Sequence, residues 1–128
     1  MNKMLIESIA NNSSVVVIAS IGNASVLLTG DVEPPAQKEI RTKWINPNVD
    51  LIKIPHHGSK FQDQWFPKWS GARLALISVG DKNTYGHPSK ETIKLYENSG
   101  IKVIDSATSG SVSIFIDKDD SIKYSMTN

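Results

Sequence analysis

The sequence predicts an α/β domain: a mixed sheet covered by helices. Through the middle of the chain, short runs rich in valine, isoleucine and leucine alternate with helical stretches, the pattern of βα units. Toward both ends, paired β-rich runs flank Gly-Asn or Asp-Asp breaks, the pattern of hairpins. A chain of 128 residues hides roughly two-thirds of its unfolded surface on folding. That suffices for one core, so residues 1–128 read as a single domain.

The elements follow in order. Met1–Ala10 is weakly amphipathic and reads as a short helix, a strand or a frayed end. Asn11–Ser14 is a turn signal. Val15–Ser20 and Ser25–Thr29 form a hairpin around Gly22-Asn23. Pro34 and Pro35 open a helix through Trp44, because proline is tolerated in a first helical turn. Asn46-Pro47-Asn48 stops it, and Val49–Ile54 is a short buried strand ended by Pro55. Phe61–Ser70 is expected to be partly helical, interrupted at Pro67, with Trp65, Phe66 and Trp69 facing inward. Leu74–Val79 is a strand, and residues 80–88 are a loop. Ser89 caps a helix over Glu91–Asn98, which Gly100 closes. Ile101–Ile104, Ser111–Ile116 and Ser121–Tyr124 are the last strands, separated by turn signals.

Composition excludes several classes. The chain has no cysteine, so disulfide scaffolds and thiolate zinc sites are ruled out. Fourteen basic residues against 13 acidic ones give a net charge of +1. Bulk charge therefore does not favour a nucleic-acid partner, because affinity for a polyanion comes largely from counterion release. No run approaches the roughly 18 apolar residues of a membrane span, and no export signal precedes Val15–Ala19. The expectation is a soluble, cytoplasmic protein.

Three polar clusters each follow a predicted buried strand: Asp31, the His56-His57 pair, and His87. In layered α/β folds the carboxyl ends of neighbouring strands form one rim, where ligands bind. A carboxylate with neutral imidazoles suits Zn²⁺ or Mn²⁺. Such an ion polarises a phosphoryl oxygen and lowers the pKa of coordinated water from about 15.7 to about 7. Each cluster also has a structural reading. Asp31 serves equally as a turn residue or helix cap. Adjacent histidines on an extended chain point to opposite faces, so at most one of His56 and His57 faces the rim. His87 before Pro88 serves equally as a cap for the Ser89 helix. Lys53, Lys60, Lys82 and Lys90 read as a phosphate-attracting rim or as scattered solvated lysines.

Taken together, the motifs resemble a known family. Asn12-Ser13-Ser14-Val15-Val16, Leu27-Leu28-Thr29-Gly30-Asp31, Ile54-Pro55-His56-His57-Gly58-Ser59 and Tyr85-Gly86-His87-Pro88 occur in a fixed order. The series is similar to the C-terminal half of a metallo-β-lactamase-fold hydrolase, most like the hydrolase domain of the ComEC competence (DNA-uptake) proteins. Gly100–Val103 and Ser109–Val112 extend the similarity, which runs from about Asn11 to Ile116. The resemblance implies half of an αβ/βα sandwich, with helices on one face of a mixed sheet. It implies a hydrolytic centre of one or two metal ions at the sheet edge and phosphodiester hydrolysis, with DNA as the substrate. Asp31 resembles the bridging carboxylate, and His57 or His56 an imidazole ligand. His87 resembles a further ligand or a phosphate-binding group. Ser59, Asn83 and Tyr85 are the implied substrate contacts, and in a phosphodiesterase Lys60 would join Ser59 and Asn83 in stabilising charge on the phosphoryl oxygens.

The sequence also departs from the family. The His-x-His-x-Asp-His signature of the first half is missing, and His56 is the first histidine. The expectation is therefore one part of a two-part sandwich, with metal affinity and activity weak or absent in this chain alone. An apolar sheet face would be left open. It would be covered by a second copy, a separately encoded N-terminal half, repacked strands or the segment Met1–Ala10. The alternative function is a noncatalytic binding or assembly module that retains the fold.

Overall fold

The computed structural model describes residues 3–80 and 86–128, with the side chains of 3–7 left aside. The chain runs α1 (Lys3–Asn12), β1 (Val17–Ile21), β2 (Ala24–Leu28), α2 (Pro34–Lys43) and β3 (Leu51–Lys53). A single 3₁₀ turn, Pro55–Gly58, follows. Then come α3 (Phe66–Ser70), β4 (Leu74–Ile77), α4 (Lys90–Asn98), β5 (Lys102–Asp105), α5 (Ser106–Ser109), β6 (Val112–Ile116) and β7 (Ile122–Met126). None of the described helices is long and apolar enough to cross a membrane.

The main sheet has five strands in the order β1-β2-β3-β4-β5. β1 and β2 form an antiparallel hairpin with Ile21 opposite Ala24. β2, β3, β4 and β5 run parallel, so the sheet is mixed. Crossovers between neighbouring parallel strands are right-handed. Because the four strands advance in one direction, that rule sends α2, α3 and α4 to the same face. The core on that face joins Leu27, Ile52, Ile54, Ala75 and Ile77 of the strand region to Phe66, Tyr96 and Ile101, with Ile40, Trp69 and Ile93 packed against them.

The opposite face is not left open. β6 and β7 pair as a separate two-stranded sheet. Their Val112, Ile114, Ile122 and Tyr124 pack over Leu51, Leu74 and Ile104. An apolar slot remains beside this hairpin, between Ile21, Val26 and Leu76 on one side and Ile114, Phe115 and Ile116 on the other. The described end of α1 lies on the helix side, where the Asn12 side chain accepts from the Glu33 amide at 3.0 Å. It is the hairpin, and not this end of the N-terminal segment, that covers the second face.

Several local expectations need correction. Pro67 does not interrupt a helix over Phe61–Ser70; it lies in the first turn of the five-residue α3, where a missing N–H costs nothing. Trp65 is 56% exposed, outside the core, whereas Phe66 is buried. The segment after β5 forms a short helix, because the Asp105 side chain accepts from the Thr108 amide and caps it. The cap expected at Ser89 is present, with its hydroxyl accepting from the Thr92 amide at 3.2 Å.

Candidate functional site

The carboxyl ends of β2, β3 and β4 lie side by side, and each is followed by one polar cluster. The tips are tied directly. The buried Thr29 hydroxyl donates to the Lys53 carbonyl at 2.6 Å. The His56 amide donates to the Gly30 carbonyl at 3.0 Å. Gly30 has φ +57°, and a Cβ there would stand 2.8 Å from the Ser14 Cβ, closer than carbon atoms approach. The Ser14 hydroxyl in turn accepts from the Asp31 amide at 3.2 Å. The Asn-Ser-Ser and Thr-Gly-Asp stretches thus form one unit that fixes Asp31.

The two histidines are not on extended chain. His56, His57 and Gly58 all have positive φ, at 52°, 54° and 75°. For two non-glycine residues this left-handed backbone stores strain of about 1–2 kcal/mol each. The tight turn removes the premise that the pair lies on extended chain with its side chains on opposite faces. His57 Nε2 lies 3.5 Å from Asp31 Oδ1. The His56 ring meets the His87 ring edge to face at 5.5 Å between centroids. Gly58 is required where it stands, since a Cβ would come 2.9 Å from the Pro88 Cβ.

The hydrogen bonds settle one tautomer. His57 Nδ1 is 2.7 Å from the Ser78 carbonyl oxygen. A carbonyl only accepts, so Nδ1 carries the proton. In the neutral ring the Nε2 lone pair then confronts the Asp31 carboxylate. Two acceptors facing each other call for a proton or a cation between them. Two ligands each bonded at about 2.1 Å to one tetrahedral ion stand about 3.4 Å apart, close to the observed separation. An imidazolium paired with a carboxylate stands at the same distance, so the pair can take either a proton or an ion. No group of three or more potential ligands is arranged to hold an ion among the described residues.

Other charges shape the rim. Partial burial and the positive potential of His56 and His57 hold His87 below its ordinary pKa of 6.5, and Asp31 opposes the shift. Burial also lowers Lys53, again with Asp31 opposing. Its Nζ donates to the Gly30 carbonyl at 3.3 Å. Lys60 is exposed, with its ammonium 5.4 Å from the Phe61 ring centroid.

Ser59 is buried, 1% exposed. Its hydroxyl accepts from the Phe61 amide, and its carbonyl accepts from Thr92 and Gln62. In this arrangement it knits the loop to α4. Asn83 and Tyr85, like Lys82, lie outside the described residues. Sequence reasoning missed Glu33 and the Ser78 carbonyl. Glu33 could have been noticed from Glu-Pro-Pro, which puts a long carboxylate where a short capping side chain is preferred.

No family model matches the chain. It is 34% identical over 108 residues to ComE operon protein 3 of Bacillus subtilis (strain 168), an alignment covering 80% of this chain and 13% of that protein. The chain is a relative of one segment of a much longer protein. Uncharacterized protein YcaI of Escherichia coli (strain K12) is 31% identical over 106 residues, covering 81% of this chain and 14% of YcaI. Recombination protein 2 of Haemophilus influenzae is 29% identical over 105 residues, covering 81% and 13%. These matches support a competence-related family, and the chain spans about an eighth of the length of each relative.

Proposed function

We propose that the chain is a metallo-β-lactamase-like hydrolase module with a place in DNA uptake, contributing part of a metal-dependent phosphodiesterase centre. The observation that carries the reading is the 3.5 Å approach of His57 Nε2 to Asp31 Oδ1, with the other His57 nitrogen already committed to Ser78. The relation to ComE operon protein 3 and Recombination protein 2 supports the DNA-uptake setting.

Asp31 and His57 would hold a Zn²⁺ or Mn²⁺ ion. When bound, the ion supplies Lewis acidity toward a phosphoryl oxygen and acidifies a water. Lys53 and Lys60 bring positive charge to the rim, which favours an anionic substrate. Binding is weak in the isolated chain, because two ligands leave about half of a tetrahedral shell unfilled.

The test is thermal unfolding with added Zn²⁺ or Mn²⁺, together with metal content after purification and cleavage of a phosphodiester. Specific metal stabilisation that Asp31→Ala and His57→Ala abolish is expected. Metal content below about 0.2 equivalents with no stabilisation would overturn the reading.

A second reading is a noncatalytic assembly module. The apolar slot beside β6 favours it, with Phe115 and Ile21 exposed at its edge. It expects a metal-free homo-oligomer, or a complex with a separately encoded half, indifferent to His57→Ala.

A further inference from the structure

We infer that Glu33 is a positioning residue for His56, fixing which nitrogen of that imidazole carries the proton. The inference deepens the metal-centre reading and takes its purpose from it. Glu33 occupies the N-cap of α2, yet its side chain makes no capping bond. Pro34 and Pro35 fill the first two helical positions and have no N–H to satisfy, the Gln37 amide reaches the Glu33 carbonyl at 3.0 Å, and the half-buried Ala36 carries the remaining first-turn amide. The carboxylate is instead folded into the protein, 14% exposed, with Oε1 3.8 Å from His56 Nδ1.

His56 has the complementary need. Its Nδ1 is buried and has no hydrogen-bond partner among the described residues, a condition that destabilises a fold if left so. The left-handed backbone and the Gly30 bond fix the base of the ring, and its face is in edge-to-face contact with the His87 ring. A carboxylate displacement of under about 1 Å closes the gap to hydrogen-bond range. The proton then sits on Nδ1, and Nε2 keeps its lone pair. The two adjacent imidazoles are thereby locked into the same tautomer by different anchors, His57 by a carbonyl and His56 by a carboxylate. A carboxylate anchor makes the opposite nitrogen the stronger donor of electrons.

The experiment reads the tautomer directly, in metal-free protein without substrate, so its outcome is separable from that of the metal-centre reading. Two-bond ¹H–¹⁵N spectra are recorded with chelator at about pH 8, above the ordinary histidine pKa of about 6.5, and assigned with His→Gln variants. Wild type should show His56 protonated on Nδ1. Glu33→Ser removes the carboxylate while supplying a preferred N-cap, which protects folding; it should shift His56 to the Nε2-protonated form. An Nε2-protonated His56 in wild type, or retention of the Nδ1 form in a folded Glu33→Ser, would overturn the inference.

Discussion

The hydroxyl of Thr29 donates to the carbonyl of Lys53 across 2.6 Å and pins the tip of β2 to the tip of β3. The group is fully buried. Thr29→Val keeps the shape but leaves the carbonyl without this donor, and should cost about 1–3 kcal/mol. Urea denaturation of the two proteins measures the difference.

Gly58 lies between the histidine pair and Pro88. Gly58→Ala asks an alanine to hold φ +75° and brings its Cβ to 2.9 Å from the Pro88 Cβ. The backbone strain alone is about 1–2 kcal/mol, and the contact adds to it. Chemical unfolding should show a loss of at least that size, together with weaker metal stabilisation.

Tyr96 presents the opposite case. Its ring is fully buried in the helix-side core, its hydroxyl has no hydrogen-bond partner among the described residues, and burial pushes its pKa up. Tyr96→Phe removes an unsatisfied polar group and should leave stability equal or higher by up to about 1 kcal/mol. A clear destabilisation in a denaturant titration contradicts this.

His87 gives the fold a pH dependence. Its folded pKa lies below the ordinary 6.5, so the unfolded chain binds protons first as pH falls. The stability associated with neutral His87 is complete above that value and declines as pH drops through it toward the folded pKa. His87→Gln should flatten the decline. Melting temperatures measured in chelator from about pH 8 downward through the ordinary histidine pKa check this.

Much of the frame was legible in the residues. Short aliphatic runs at Val26–Leu28, Leu51–Ile54 and Leu74–Ile77 fit buried parallel strands, and strand tips in one sheet put Asp31 near His57. The tight turn at His56-His57 was not legible, because a left-handed pair of histidines is dictated by the ties to Gly30 and Ser78 and not by local preference. Nor was the exposure of Trp65, since an aromatic beside Phe66 reads as core until the five-residue length of α3 leaves it outside. The packing of β6 and β7 across the second face was equally hidden, since strand content says nothing of which sheet a hairpin joins.

Both imidazoles ride on one four-residue turn, and that turn is tied to its neighbours on both sides, by the His56 amide to Gly30 and by His57 to Ser78. Sliding β3 along β2 would strain both ties and the Thr29–Lys53 bond as it changed the gap to Asp31. The rim is braced against such a slip, and the distance across it is held from three directions at once.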